Sequence, residues 1–395
     1  MFILRLVPLA CVHLLWLVLA SGVRGTSHEE RRSVALAGQA FEILKDYVEA
    51  ESTPASNCTF ETAARRQEWT RLSREQRMSY INATLCLMSK PALTDPRLAQ
   101  GAKSRYDDFV AIHINQTQTI HNTANFLTWH RVFAWKYEQA LISECGYDGA
   151  LPYWDWAATA DDPLHAEIFD GSDWSMSGNG VYAPHGCTAG RPGNCIPPGD
   201  GGGCVDKGPF RDMTVNLGPI QPLLIAEGIV AMPANDTLRW NPRCLRRDIT
   251  NWTSTRWTSE QNLTDLLTLH DDVSSFQFAM QGNFSAGDYG VHGGAHFITS
   301  GDPGGDLFNS PGDPIFFLHH AMIDRVFWIW QNLHPEERTE VVGATITRNN
   351  SPPSRNGSLT DEIYMGVLTA SPPITIGQAG STLGINGSPF CYIYV

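Results

Sequence analysis

Apolar residues recur at the spacing of an α-helix in several separate stretches of the sequence. One stretch, residues 313–334, reads DPIFFLHHAMIDRVFWIWQNLH, and Ile323, Val326 and Trp330 share one side of a helix predicted over 318–333. Other helices are predicted over residues 33–49, 74–88, 106–113, 128–143 and 263–281. We therefore expect a mainly α-helical protein.

Two regions lack this helical pattern. Residues 170–219 are rich in Gly, Pro and Ser and contain three cysteines, which predicts a long loop held in place by disulfide bonds. From Val341 onward Thr, Ile, Val, Pro and Gly predominate, as is typical of short strands and turns. No repeat and no linker divides the chain, so a single domain is expected over residues 26–395.

The first 25 residues have the pattern of a signal peptide. Arg5 precedes an apolar run over residues 6–20, and small residues follow at Ser21 and Gly22. No later stretch is long and apolar enough to suggest a membrane span. We expect a secreted, extracellular protein that carries N-glycans. The Asn-x-Ser/Thr acceptors are Asn57, Asn82, Asn115, Asn235, Asn251, Asn262, Asn283, Asn349, Asn356 and Asn386.

The cysteines fit an oxidising compartment. Removal of Cys11 with the signal peptide leaves an even set, which predicts disulfide bonds, although about 105 pairings of eight cysteines are possible. A zinc site is the alternative, but no two cysteines have C-x-x-C spacing. The set consists of Cys58, Cys86, Cys145, Cys187, Cys195, Cys204, Cys244 and Cys391.

The charge balance narrows the classes of partner. The chain has 28 Lys and Arg against 41 Asp and Glu, for a formal net charge of −13. A strongly acidic protein is repelled by polyanions. We therefore expect neither nucleic acid nor an anionic membrane surface as a partner.

Seven of the 13 histidines fall in two clusters. A pair such as His319-His320 alone is typical of one core and one surface histidine, and His292 and His296 share one helix face because they are four residues apart. Together the clusters predict two metal ions, each held by three imidazoles between facing helices of a bundle. The first cluster is His113, His121 and His130, and the second is His292, His296, His319 and His320.

The ligand type limits the choice of metal. Imidazole suits zinc, copper, iron and nickel, whereas calcium and magnesium prefer oxygen ligands. Paired-zinc hydrolases generally use acidic ligands, and the nearest carboxylates here are Asp107, Asp108 and Asp324. Two all-imidazole sites favour copper, with zinc as the alternative.

These motifs resemble those of the type 3 copper proteins, which comprise tyrosinases, catechol oxidases and haemocyanins. The first copper motif is similar to His113, His121 and Phe-Leu-Thr-Trp-His130-Arg131. The second is similar to His292-x-x-x-His296 followed by Asp-Pro-Ile-Phe-Phe-Leu-His-His320. The resemblance implies a four-helix bundle that holds a dinuclear copper centre. Copper A would be bound by His113, His121 and His130, and copper B by His292, His296 and His320.

The resemblance also implies roles for neighbouring residues. His319 would support the copper B site without binding copper, and Asp324 would orient a ligand histidine through its second ring nitrogen. Phe316 would project over the copper pair, and Leu307 would gate the entry of substrate. The segment Leu-Pro-Tyr-Trp-Asp-Trp156 and the pair Tyr392 and Tyr394 also look like the family. In longer members Tyr-x-Tyr precedes a C-terminal shielding domain, which we do not expect here.

The function implied is that of a short, secreted fungal catechol oxidase, which uses O2 to oxidise small phenols. An o-diphenol, or an o-aminophenol, would be oxidised to the o-quinone type of product. Many tyrosinases have Asn where this chain has Gly293, and some have Glu where Gln281 aligns, so weak monophenol hydroxylation is expected. Thr119 stands where some members have a thioether cysteine, which excludes that crosslink.

Other functions remain as alternatives. A full tyrosinase with strong monophenolase activity would use the same six histidines, as would an oxygen carrier of the haemocyanin type. The carriers of the family add a domain that blocks substrate and form very large oligomers, for which this chain has no room. A zinc hydrolase would contain two zinc ions, and a purely structural glycoprotein leaves the clustered histidines unexplained.

Overall fold

The computed structural model describes residues 31–50, 58–188, 195–370 and 372–395. The predicted signal peptide and the glycan acceptor Asn57 lie outside these residues. The described residues form ten α-helices, which confirms a mainly helical fold. They are α1 (Arg32–Ala50), α2 (Arg74–Ser89), α3 (Arg105–Ile120), α4 (Phe126–Cys145), α5 (Asn251–Trp257), α6 (Glu260–Thr268), α7 (Val273–Gln281), α8 (Gly290–Thr299), α9 (Ile315–Asn332) and α10 (Pro335–Arg338).

Most predicted helices are confirmed, with shifted ends. Helices α1, α2, α4 and α9 match their predictions within a few residues, and α3 continues seven residues beyond His113. The single helix predicted over 263–281 is wrong, because the chain breaks between α6 and α7. There the Asp272 side chain accepts a hydrogen bond from the backbone N–H of Ser275 at 2.9 Å and starts α7 as its N-cap. None of the described helices combines the length and apolar content that a bilayer crossing requires.

The strands are short and pair two by two, and the sequence predicts short strands only in the part of the chain after Val341. They are β1 (Ala64–Arg66), β2 (Gly180–Tyr182), β3 (Gly202–Val205), β4 (Thr214–Val215), β5 (Arg243–Cys244), β6 (Glu362–Ile363), β7 (Ile374–Thr375) and β8 (Tyr392–Tyr394). β1 and β8 are parallel, and the other three pairs, β2 with β3, β4 with β5 and β6 with β7, are antiparallel.

Aromatic side chains hold α3, α4 and α9 together. The rings of Tyr137 on α4 and Phe317 on α9 stack with centroids 3.5 Å apart, and Phe109 on α3 contacts both rings edge-on. Aromatic pairs of this kind add about 0.5–1.5 kcal/mol each to the stabilisation from buried area. This packing fixes the relative positions of three helices that carry histidines.

A buried ionic cluster joins β1 and β8 to α4 and α9. The Asp324 carboxylate accepts hydrogen bonds from Arg131 Nε at 2.5 Å and from the hydroxyls of Tyr392 and Tyr394 at 2.6 and 2.7 Å. Arg66 Nη1 also donates to Asp324, at 3.2 Å. Arg66 also pairs with the buried carboxylate of Glu138 at 2.6 Å, so each of the two buried arginines has an acidic partner.

All eight cysteines of the predicted set form disulfide bonds, which confirms the expectation and settles the pairing. The bond between Cys187 and Cys195 lies within the long loop predicted over 170–219, and Cys204 links that loop to β5. The pairs are Cys58–Cys391, Cys86–Cys145, Cys187–Cys195 and Cys204–Cys244.

Candidate metal centre

Helices α3 and α4 bring the first histidine cluster together. His113 lies within α3, His121 directly follows the end of α3, and His130 lies in the second turn of α4. One ring nitrogen from each of the three lies within 4.8 Å of the others, and all three residues are buried. The local fold follows from sequence, because Ser104 and Asp107 form a capping box that starts α3.

Hydrogen bonds fix the tautomer of these three imidazoles. Each Nδ1 lies at hydrogen-bond distance from a backbone carbonyl and must donate to it, which leaves Nε2 as a free lone pair in the neutral ring. Nε2 of His113 and of His130 is buried without a hydrogen-bond partner among the described residues. The acceptors for His113, His121 and His130 are the carbonyls of Phe308, Thr117 and Phe126 at 2.8, 3.0 and 2.8 Å.

The second cluster joins α8 to α9. His292 and His296 lie one helical turn apart on α8, facing His319 and His320 on α9. The Nε2 atoms of His296 and His320 are 3.2 Å apart. Nε2 of His292 and both ring nitrogens of His319 are buried without hydrogen-bond partners in the described part of the chain.

Burial keeps the clustered histidines in the form that binds metal. Burial lowers the pKa of His113 to about 4. It also lowers the pKa of the other six well below the ordinary range, and neighbouring imidazoles add to the effect. Neutral imidazoles with unpartnered, converging nitrogens fit a transition-metal ion such as copper.

A cavity of about 350 Å³ opens onto both clusters, through His121 on one side and His292 and His296 on the other. The structure places the predicted substrate residues Gly293, Gln281 and Leu307 in its wall. Further wall residues were not predicted as part of the site, because no local pattern in the sequence links them to the histidines. They include Phe278, Phe284, Arg348 and the two predicted glycan acceptors Asn283 and Asn349.

Gln281 links the two halves of the site. Its Oε1 accepts a hydrogen bond from the backbone N–H of Asn122 at 2.7 Å, and its Nε2 donates to the carbonyl of Gln277 at 3.2 Å. Asn122 directly follows His121 and has a positive φ of 50°. Gln281 therefore holds the turn that positions His121.

Gly293 leaves space for a ring in the cavity wall. A Cβ at this position would lie 2.6 Å from Cζ of Phe284, so any side chain would displace that ring. Phe284 is 40% exposed and sits on a short 3-10 turn, which allows such a movement.

The predicted role of Asp324 is wrong, whereas Phe316 lies against imidazoles of both clusters. The ring of Phe316 is buried one turn before His320 on α9 and stacks against that imidazole with centroids 4.1 Å apart, and it also contacts the rings of His113 and His296 with centroids 5.4 and 5.7 Å apart. Asp324 does not orient a histidine, because its oxygens accept hydrogen bonds from arginine and tyrosine side chains. Phe316 therefore packs between the two clusters, and Asp324 belongs to the buried ionic cluster of α9.

Residues 103–333 match the family described as the common central domain of tyrosinase. Tyrosinase-like protein orsC of Emericella nidulans is 40% identical over 306 residues, which is 74% of this chain and 80% of that protein. Tyrosinase P of Aspergillus terreus is 35% identical over 350 residues, which is 86% of this chain and 94% of that protein.

The fold also matches a solved structure, that of a single-residue mutant of a polyphenol oxidase from Thermothelomyces thermophila. The TM-score is 0.85 and the identity 40%, and the match covers 92% of this chain and 97% of that one. Members of the matched family use a type 3 dicopper centre, and the histidine groups described above are able to bind metal. The chain therefore belongs to the tyrosinase family and is a copper-dependent oxidoreductase of the polyphenol oxidase type.

Proposed function

We propose that the chain is a secreted polyphenol oxidase that oxidises o-diphenols to o-quinones with O2. Helices α3, α4, α8 and α9 form the four-helix bundle around the metals. Copper A is held by His113, His121 and His130, and copper B by His292, His296 and His320. The observation that carries the proposal is the meeting of two neutral, buried imidazole clusters at one cavity.

O2 accepts the electrons and protons that the phenols lose. Two o-diphenols each lose two electrons and two protons and become o-quinones, while one O2 takes up the four electrons and four protons and becomes two waters. When bound, the copper pair supplies the binding site for O2 and the redox chemistry. Imidazole ligands suit this because they bind both copper oxidation states.

The protein positions the phenol and supplies the environment of its ring. Phe278, Phe284 and Leu307 give the cavity an apolar wall against which a phenol ring can pack, and Gly293 leaves room beside His292. Leu307 gates the entrance. A catechol needs little acid or base assistance, and o-aminophenols fit the same requirements.

Monophenol hydroxylation is weak, because neither Gly293 nor Gln281 can act as a base. A monophenol must first lose its hydroxyl proton. Gly293 has no side chain, and both ends of the Gln281 amide are engaged in hydrogen bonds. The alternative, a full tyrosinase, requires a base that neither residue supplies.

Secretion is supported by three features together. Residues 1–25 have a signal-peptide pattern, the chain carries Asn-x-Ser/Thr acceptors, and four disulfide bonds link the cysteines of the mature part. The acceptors Asn283 and Asn349 lie in the cavity wall, so a glycan at either would narrow the entrance to large phenols.

The experiment combines copper content with oxygen uptake. The purified protein should contain about two coppers per chain and consume O2 with 4-methylcatechol much faster than with p-cresol. Zinc in place of copper, or no uptake with either phenol, would contradict the proposal. Reversible O2 binding without turnover would instead indicate an oxygen carrier, and equal rates with both phenols would indicate a tyrosinase.

A further inference from the structure

Arg348 places a positive charge in the wall of the cavity that contains His121. Its Nη1 donates a hydrogen bond to Oε1 of Gln118 at 3.2 Å, and its Nε is buried without a partner among the described residues. No carboxylate in the described ranges forms an ion pair with it. Partial burial lowers the pKa of Arg348, but an arginine remains charged at neutral pH.

The position of Arg348 is fixed from two directions. Gln118 lies on α3, three residues before His121, and holds the guanidinium group. The neighbouring backbone N–H of Asn349 donates to the carbonyl of Asn122, which directly follows His121, at 3.2 Å. The charge is therefore held on the side of the cavity that His121 forms.

No other charge in the cavity wall neutralises Arg348. Apart from histidine, the described wall residues include one further ionisable group, Asp306. Burial raises the pKa of Asp306, and its oxygens are turned toward backbone N–H groups. These donors belong to Ile220, Gln221, Phe308 and Asn309.

We propose that Arg348 binds the carboxylate of a phenolic substrate, so that the preferred substrates are o-diphenols with a short acidic side chain. This inference rests on the proposed function and names its substrate class. The unpartnered Nε and the guanidinium fork offer the geometry that a carboxylate takes up. The positive charge also offsets, locally, the repulsion that a chain with a net charge of −13 exerts on an anion.

A purely structural role would make Arg348 a clamp between its loop and α3 through Gln118. The two roles differ in what the substitution changes. Loss of a clamp affects neutral and anionic ligands alike, whereas loss of a carboxylate site affects only the anionic ones. Arg348→Gln keeps a polar side chain, and Arg348→Lys keeps the charge but not the fork.

Binding is measured first, with ligands that cannot be oxidised. Calorimetric titration of the copper-loaded protein compares 3-phenylpropionate with its amide. We expect Arg348→Gln to weaken binding of the acid about tenfold, in line with the strength of a charge-assisted hydrogen bond, and to leave the amide unchanged. The affinity of Arg348→Lys for the acid should lie between those of the wild type and Arg348→Gln. Equal effects on acid and amide, or none on the acid, would overturn the inference.

Turnover is then compared for 3-(3,4-dihydroxyphenyl)propionate and its amide. Arg348→Gln should raise KM for the acid about tenfold with little change in kcat. Arg355→Gln is the matched control: it removes the same charge from the same loop, where Arg355 pairs with Asp361 outside the cavity. A similar KM change in this control would overturn the inference. If wild-type protein fails to oxidise 4-methylcatechol, the proposed function fails, while the binding comparison still decides the role of Arg348.

Discussion

The imidazole rings of His130 and His320 stack nearly in parallel, with centroids 4.5 Å apart and an interplanar angle of 14°. One ring belongs to the first histidine cluster and the other to the second. The two clusters are therefore parts of one centre, and a change at either ring alters the surroundings of the other.

Substitution of either ring should remove copper. We expect His130→Ala and His320→Ala to contain about one copper per chain or less, because three imidazoles are the minimum for a firmly held ion. His319→Ala should retain more copper and lose it faster to a chelator, since supporting residues change metal affinity by roughly 10–100-fold. Metal content after gel filtration measures both effects.

The control is His165→Ala, which removes an exposed histidine whose ring pairs with Asp162. It should keep both coppers. If His319→Ala loses as much copper as His320→Ala, the assignment of the copper B ligands is wrong, because both residues lie in the same cluster.

An amide side chain at position 293 should increase the turnover of monophenols relative to o-diphenols. Gly293→Asn adds a group that can hold a proton-accepting water beside His292, and Phe284 must move outward to accommodate it. We expect the ratio of p-cresol to 4-methylcatechol turnover to rise at least about threefold, a small part of the gain that general base catalysis provides. Gly293→Ala is the control, since it moves Phe284 without adding the amide, and an equal rise there would argue against the explanation.

Gln281 should strengthen the binding of copper A by holding the turn next to His121. Gln281→Ala leaves the backbone N–H of Asn122 without its acceptor, at a cost of about 1–3 kcal/mol. We expect faster loss of one copper to a chelator. Gln281→Glu preserves the acceptor and should keep that copper, so equal loss in both variants would show that the hydrogen bond is unimportant.

The stability of the fold should depend on the charge of Asp324. Burial alone would raise the pKa of Asp324, but Arg131, Arg66 and the hydroxyls of Tyr392 and Tyr394 lower it below the ordinary 3.8. The carboxylate therefore stabilises the fold above about pH 4, and this contribution is lost as the pH falls through the lowered pKa.

Asp324→Asn should destabilise the protein by about 3–5 kcal/mol at neutral pH, because it leaves the buried Arg131 without its counter-charge, whereas Arg66 keeps its ion pair with Glu138. Denaturant unfolding at a series of pH values should show the difference from wild type shrinking below about pH 4. Asp265→Asn, on the surface of α6 where Asp265 pairs with Gln261, is the control. A difference that does not depend on pH would contradict this assignment.

Much of the fold and the metal centre was predictable from sequence. The amphipathic helices and the clustered histidines have periodic signals that depend on local spacing alone, and α9 carries both signals in one stretch. The split between α6 and α7 was not predicted, because Asp272 acts as an N-cap only where the preceding backbone has left the helical conformation. The apolar spacing does not mark that point.

Contacts between distant residues were not predictable. Arg348 comes from a loop more than two hundred residues after Gln118, and no pattern in either segment predicts their contact. Asp324 was assigned to a histidine because it lies four residues after His320, yet its partners come from β1, α4 and β8. The tertiary structure supplies the partners of a buried charge, and the local spacing of residues does not encode them.

The pairing of β8 with β1 also sets an order of events during biosynthesis. Tyr392 and Tyr394 complete the hydrogen bonds of Asp324 on the same helix that carries His320, and the bond from Cys58 to Cys391 spans 333 residues. A chain still growing on the ribosome lacks these groups until residue 394 has emerged, although earlier segments can begin to fold. Metal loading should therefore follow synthesis of the whole domain, in a compartment that supplies both copper and an oxidant for thiols.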